Sequence, residues 1–430
     1  MTFYRKIYRL DISLCSPLSI GSGTSESTDK DVIVDRSGVP FIPATSIAGV
    51  LRGWIERKNE KAVVDAIFGN IENEGENSLV RVYDGLCVNH SKKAYFITVR
   101  DMVALKDKVN IKGAKFDMEA VETGTRFTAY LELLSDVASN AKTEAQIDIS
   151  AQLESALAAL NAGELRLGTK TSRGYGEVSV MCKKKEFCEP LAWIDFDMTN
   201  DDAWSDADAV ELKYAVCSKI TLGLRLKGGL SIREYTTEPG TPDMPMPDYR
   251  QLALHTEQEK EKTVPVIPGT SWAGAIRERY AQFDSATVET MFGYVLQKPE
   301  DGKVSAQKSV IQFGESRITG GTWKTVTRNA IDRFSGGTKS GALYTEETDY
   351  GGETALTVFF AQPPERKQLQ ILCACFADLH NGYLSVGGLT AVGRGLFEIV
   401  SINNGPPLSE EQKKPDHIFE VLRNEVIADE

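Results

Sequence analysis

A stretch that occurs twice limits what this chain can fold into more than any other feature. IPATSIAGVLRGWIER, starting at Ile42, returns as IPGTSWAGAIRERYAQ at Ile267. IFG ending at Gly69 matches MFG ending at Gly293, and GAKFDMEAVETG from Gly113 matches GALYTEETDYGG from Gly341. Near the end of each half, AALNAGELRLGTKTSRGYGEVSV, closing at Val180, parallels FADLHNGYLSVGGLTAVGRGLFEIV, closing at Val400. The matches never change order, so one unit has been duplicated. A chain of 430 residues suits two domains of about 200 residues each. The expected division is a first domain over residues 1–188, an acidic linker over 189–212 and a second domain over 213–430. The linker loses hydrophobic periodicity and reads as a solvated connector.

Each copy has the same order of elements. An alternating strand opens it, YRLDISLCSPLSI in one half and CSKITLGLRLKGGLSI in the other. A helix follows a proline, with Thr45 and Ser46, or Thr270 and Ser271, placed to cap its first turn. Ile47, Val50, Leu51, Trp54 and Ile55 share one face of the first such helix. Middle strands lead to a second helix, striped by Leu153, Leu157 and Leu160 in one copy. In the other copy the stripe is Leu369, Leu372, Cys373, Phe376 and Leu379, ended by Gly382. A glycine-rich turn then feeds a last strand. This order is the split β-α-β pattern of an α+β, ferredoxin-like (RRM-like) fold.

Composition narrows the function classes. A hydrophobic share of 41% with 26% charged residues describes a globular protein. No apolar run approaches the roughly 20 residues of a membrane span, and the start MTFYRKIYRLDIS alternates like a strand, which points to the cytoplasm. Seven cysteines without a dense framework suit a reducing compartment and free thiols. The net charge of -12 excludes a whole-surface nucleic-acid binder, so any such surface must be local.

Three linked motifs carry a resemblance that covers nearly the whole chain. They are the I-P-x-T-S-x-x-G-x-x-R helix start at Ile42 and Ile267, the central segments FDMEAVETGTRF and LYTEETDYGGET, and the loops LGTKTSRGYG and VGGLTAVGRG. In these the chain resembles the RAMP superfamily of CRISPR proteins, specifically the guide-RNA (crRNA) backbone subunits of type III effectors. The resemblance implies tandem RAMP domains with inserted β-hairpin thumbs. It also implies that each module grips guide RNA, and that an aspartate in the loop after the first strand helps a divalent metal, Mg2+, cut the paired target RNA. Partners would be crRNA, target RNA and other type III effector subunits, with no membrane.

The residues add their own chemistry. A helix N-terminus with hydroxyls is a competent phosphate site, which singles out Ser46 and Ser271, with Arg52 and Arg277 two turns in. Gly168, Gly174 and Gly176, matched by Gly387, Gly393 and Gly395, allow positive φ and close approach to a ligand, and Lys170, Arg173 and Arg394 supply charge. A tight structural turn is the plainer use of the same glycines. Gly49 and Gly274 inside the first helices each cost about 1 kcal/mol relative to alanine, which close packing or RNA approach would explain. Arg100, Lys106 and Lys108 in one copy, and Arg328, Arg333 and Lys339 in the other, add local positive charge. NAIDRFSGGTKSGALY has the turn of a hairpin.

RNA can be cut by its own 2′-hydroxyl if a carboxylate deprotonates it or a metal stabilises the developing charge. In SGTSESTDKDVIVD the resemblance favours Asp29, with Asp31 its nearest rival. The second copy carries a longer proline-rich insertion, REYTTEPGTPDMPMPDYRQLALHTEQEKEKTVPV, where Asp248 is the first choice and Asp243 the second. That departure leaves open whether the second module cuts or only holds RNA.

Other signals are set aside. Cys87 and His90, and Cys182 and Cys188, lack a second pair at zinc spacing, so no zinc is expected. Cys373 and Cys375 read as buried helix residues. His255 is a lone loop histidine, usually solvated. Two alternatives to the cleaving backbone subunit stand: a non-catalytic RAMP subunit capping one end of the guide, and a guide-processing endoribonuclease.

Overall fold

The computed structural model describes residues 4–25, 27–59, 61–70, 77–88, 97–106, 109–135, 137–139, 146–213, 219–234, 247–254, 264–295 and 306–427. The chain forms two compact units. The first comprises Met1–Val99, Glu119–Thr171 and Tyr175–Cys217; the second comprises Arg100–Met118, Ser172–Gly174 and Ser218–Glu430. The duplicated halves are therefore not the compact units, because two short pieces of the first half cluster with the second unit.

In the first unit the strand Arg5–Leu14 is central. Alternation sends Tyr8, Leu10, Ile12 and Leu14 into the core and turns Arg9, Asp11 and Ser13 outward. It pairs antiparallel with Val178–Phe187 on one side and Arg126–Leu133 on the other. The latter pairs in turn with Val80–Val82 and Gly85–Cys87. Helices Ala44–Lys58 and Ile149–Asn161 bury Ile47, Leu51, Trp54 and Ile55, and Leu153, Leu157 and Leu160, in the same core. Burying each such side chain stabilises the fold by about 1.5–3 kcal/mol.

The second unit repeats the arrangement. Lys219–Lys227 lies between Glu353–Phe360 and Leu396–Ile402, with Ile311–Phe313 beyond Glu353–Phe360. Helices Gly269–Phe283 and Arg366–Asn381 fill the core, where Trp272 packs on Phe397 at 5.2 Å and donates its Nε1 to Ser316 Oγ at 3.0 Å. Gly382 ends Arg366–Asn381 with φ 81, as its position predicts. A last helix, Ile418–Val426, packs on that one. Each copy also extends a long hairpin, Ile97–Lys106 with Val109–Val121, and Thr322–Ile331 with Thr338–Tyr350.

Two expectations need correction. The helices start directly after Pro43 and Pro268, which are the cap residues, so Thr45, Ser46, Thr270 and Ser271 fall inside the first turn and make no side-chain cap bond. The stretch 189–212, though mostly exposed, is also no separate connector between the units. It belongs to the first unit, contains the short helix Pro190–Ile194, and adds the strand Ala209–Val210 to the sheet edge at Cys182 and Lys183. Among the described residues no helix is long and apolar enough to cross a membrane.

Candidate nucleic-acid interface

The loop after the opening strand carries the first candidate acids, and the structure separates their jobs. Asp31 is buried; its carboxylate accepts Thr28 N–H at 2.8 Å, Thr28 Oγ1–H at 3.0 Å and Ser27 N–H at 3.2 Å. This is local turn chemistry that closes the loop. Asp29, two residues earlier, is exposed on the closed loop. The loop is fastened to the hairpin strand Val109–Val121 through Glu119, whose N–H donates to Lys30 O at 3.0 Å and whose carboxylate accepts Val32 N–H at 2.9 Å.

In the second copy Asp248 is exposed but engaged. Its N–H donates to Thr345 O at 2.9 Å, and its Oδ2 accepts Thr345 N–H at 2.7 Å. Arg250 next to it binds Glu347 at 2.6 Å, on a short parallel pairing of Tyr249–Gln251 with Thr338–Tyr350. Glu347 is the repeat partner of Glu119, by the same match that relates Gly113 to Gly341. Both copies thus fasten an acid-bearing loop at the same position of a hairpin strand. Asp248 lines an open groove of about 430 Å³ with Arg233, Tyr249 and Leu343; the Arg233 guanidinium lies 4.1 Å from the Tyr249 ring centre. Asp243 and His255 lie outside the described residues, as do His90 and Lys108.

The helix starts offer less than the sequence suggests. Ser46 and Ser271 direct their N–H groups to Pro43 O and Pro268 O at 2.8 and 2.9 Å. In the first copy Ala44 N–H is held at 2.7 Å by the carboxylate of Asp84, which therefore occupies the anion position of that helix tip. Arg52 sits 3.6 Å from Asp65, whereas Arg277 is exposed with no ion partner among the described residues. A side chain added at Gly49 or Gly274 would meet nothing within 4 Å among the described residues, so packing against those residues does not explain either glycine.

Several basic candidates turn out to be internal. Arg100 is 4% exposed and pairs with Glu315 at 3.0 Å. Arg394 is 3% exposed; it pairs with Glu346, and its guanidinium lies 4.7 Å from the centre of the Tyr350 ring. Arg328 also reaches Glu346, at 3.1 Å. Both guanidinium groups are buried against a carboxylate and away from any phosphate at the surface, so Arg100 and Arg394 are corrected to structural residues, although the buried Arg394 Nη1 has no hydrogen-bond partner among the described residues. Arg333 behaves differently. Asp332 accepts Phe334 N–H at 3.0 Å and Ser335 N–H at 2.9 Å, making a turn that displays Arg333 and a fully exposed Phe334 at the hairpin tip, with Ile331 and Lys339 nearby.

The glycine loops are matched down to backbone sign. Gly168, Lys170, Gly174 and Gly176 have φ of 76, 55, 93 and 76; Gly387, Leu389, Gly393 and Gly395 have 93, 55, 80 and 70. A Cβ on Gly176 or Gly395 would overlap the carbonyl of Leu167 or Val386. Those two glycines let the loop pass close to the protein's own backbone. Gly174 is packed near Phe313 O, while a Cβ on Gly393 would meet nothing within 4 Å among the described residues. Lys170 is half-buried, and Arg173 closes the short turn Thr171–Arg173.

Sequence reasoning missed one titratable group. Asp349, in the hairpin strand Thr338–Tyr350, is 1% exposed, and its Oδ2 has no hydrogen-bond partner among the described residues. Burial pushes its carboxyl up to about 6 from an ordinary 3.8. Its repeat partner is Val121, and an acid opposite a valine in the repeat is the signal that could have found it. Cys373 and Cys375 are fully buried as expected, and burial pushes both thiols up to about 12.

Comparison with known proteins places these features. The family model described as "RAMP superfamily" matches residues 11–179 and 250–398, one region in each copy. The chain is 28% identical over 232 residues to a protein of Methanocaldococcus jannaschii named "CRISPR system Cms endoribonuclease Csm3". That match covers 46% of this chain and 86% of the relative.

Proposed function

The chain belongs to the RAMP superfamily, and from that premise we propose that it is a cytoplasmic guide-RNA backbone subunit of a type III CRISPR effector that cuts guide-paired target RNA. Each module is read as a ferredoxin-like domain with a thumb. The support is the sheet order, last strand, first, third, second, found in both units, and the hairpin that leaves each. Partners in this reading are crRNA, target RNA and the other effector subunits.

One observation carries the catalytic part: both copies hold an exposed aspartate on a loop fastened to the same glutamate position of the hairpin strand. A carboxylate so placed can take the proton of a target 2′-hydroxyl. The oxygen then attacks the adjacent phosphorus, and the departing 5′-oxygen leaves with a proton from solvent. Asp29 is the base in the first module and Asp248 in the second. Among the described residues no three ligand-type side chains converge. Where Mg2+ binds, the loop acids Asp29 and Asp248 are the residues that would hold it, and the ion would supply charge stabilisation.

A holding role for the second module is favoured by one specific contact, Thr345 N–H on the Asp248 carboxylate. The test is target cleavage by the complex assembled with its native partners, with and without chelator. Asp29→Ala should remove one cut and leave assembly intact. Persistence of every cut in the Asp29→Ala, Asp248→Ala double variant would reject the catalytic reading and leave the holding one.

A further inference from the structure

The acidic stretch 189–212 lies across the outer face of the first unit's sheet, where it meets side chains that the core does not use. Lys183, Arg9 and Tyr130 are direct neighbours across three strands, and Lys185 is opposite Ile7 on the next outward row. Each is engaged. Asp201 Oδ1 lies 2.6 Å from Arg9 Nη1, Asp206 lies 3.5 Å from Lys183, and Asp208 lies 3.1 Å from Lys185. The Trp204 ring stacks on Tyr130, centroids 6.4 Å apart and planes 28° apart, and Phe196 meets Trp204 edge-on at 5.5 Å. Trp204 is 7% exposed, and its Nε1 donates to Met198 O at 3.0 Å. Arg9 also binds Asp11 at 3.1 Å, on the same strand.

Cations in a row with an aromatic ring, on an antiparallel sheet, match what an unpaired nucleic-acid strand needs: charge for its phosphates and a platform for its bases. The covering stretch offers the complementary chemistry in protein form, with anions at intervals and a flat ring among them. Two of its acids are weakly held: the side chains of Asp201 and Asp206 are 82% and 108% exposed, and ion pairs so open to water are weak. The indole is the anchor, and the carboxylates occupy the cations.

We propose that residues 197–208 are a built-in competitor for single-stranded RNA, and that the Lys183, Arg9 and Tyr130 row is an RNA-binding site held covered by them. The proposal does not rest on the catalytic reading, since it concerns another face and needs no cleavage. In a chain of net charge -12 such a cover keeps a basic patch from collecting RNA without selection.

The test uses the full chain and a short fluorescent oligouridine, with affinity read by anisotropy at low and moderate salt. Asp201→Asn, Asp206→Asn and Trp204→Ala together should tighten binding about tenfold, or add a second equivalent, in a salt-sensitive way. Adding Arg9→Gln and Lys183→Gln should abolish the gain. Should the Trp204 variant fail to fold by circular dichroism, Asp201→Asn with Asp206→Asn alone alters only exposed side chains and should still tighten binding about threefold. Three outcomes overturn the proposal: no gain in a folded variant, a gain that survives Arg9→Gln and Lys183→Gln, or an equal gain from neutralising Glu410, Glu411 and Asp416 at the other end of the chain.

Discussion

The two acid-bearing loops solve one problem with different staffing. In the first copy Asp31 closes the loop by gathering the Ser27 and Thr28 donors, which leaves Asp29 on the surface. In the second copy Asp248 is the exposed acid and also takes Thr345 N–H, tying its own loop to the hairpin. The duplication preserved where the loop is fastened, at Glu119 and Glu347, but not how many carboxylates share the work. A carboxylate that also ties its loop to the hairpin, as Asp248 does through Thr345, cannot be removed without loosening that tie. That difference sets what mutations at the two places should do.

The largest effect is expected on cleavage. Asp29→Ala should lower one cut about 10²–10⁴-fold with guide binding unchanged, the range for losing a general base. At Asp248 the two variants should differ: Asp248→Asn removes the base but keeps an acceptor for Thr345 N–H, while Asp248→Ala should also loosen the hairpin, read as faster amide exchange along 338–350. Identical exchange in the two variants would remove the claim of a double role.

The glycine loops should behave alike. Gly176→Ala and Gly395→Ala each force a Cβ into a carbonyl and should each cost more than about 3 kcal/mol by urea unfolding. A large inequality would mean that the loops are not equivalent.

Asp349 distinguishes the hairpin bases, since the first copy has Val121 there. Its carboxyl is raised to about 6 in the folded chain, so the stability it contributes is whole below its ordinary value near 3.8 and is lost as pH rises through about 6. Asp349→Val should therefore stabilise the second unit at pH 7.5 by on the order of 2–3 kcal/mol relative to the parent. The gain should shrink as pH falls toward 4, and thermal unfolding against pH would show it. A gain independent of pH would assign it to packing instead. The smallest effect separates Gly393 from Gly174. Gly393→Ala meets only its φ of 80 and should cost about 1 kcal/mol, whereas Gly174→Ala also meets Phe313 O at 2.7 Å and should cost about twice that.

Much of the architecture was legible because it depends on short-range pattern. The strand alternation from Tyr8 to Leu14, the helix stripes ending at Leu160 and Leu379, and the stop at Gly382 are all fixed by residues near one another in sequence. The site was less legible because charge pairing is long-range. Nothing local distinguishes Arg100 or Arg394, buried against Glu315 and Glu346, from Arg333 at an exposed tip. Capping misled for a related reason: Thr45 and Ser46 have cap chemistry, but Pro43 already occupies the cap, and the anion at that helix tip comes from Asp84, far along the chain. Residues 189–212 looked like a connector because acids dominate the composition; Trp193, Phe196 and Trp204 among them were the signal of a packed segment.

One detail of the glycine loops reaches further. Lys170 and Leu389 share φ of 55, a left-handed geometry that neither side chain favours, so a basic and an apolar residue have been held to the same contour. The heritable quantity there is the spacing of the bends. Exchanging Lys170 with Leu389 between the copies should be accepted, yet gaining or losing one residue would put every later bend out of step and unseat the last strand.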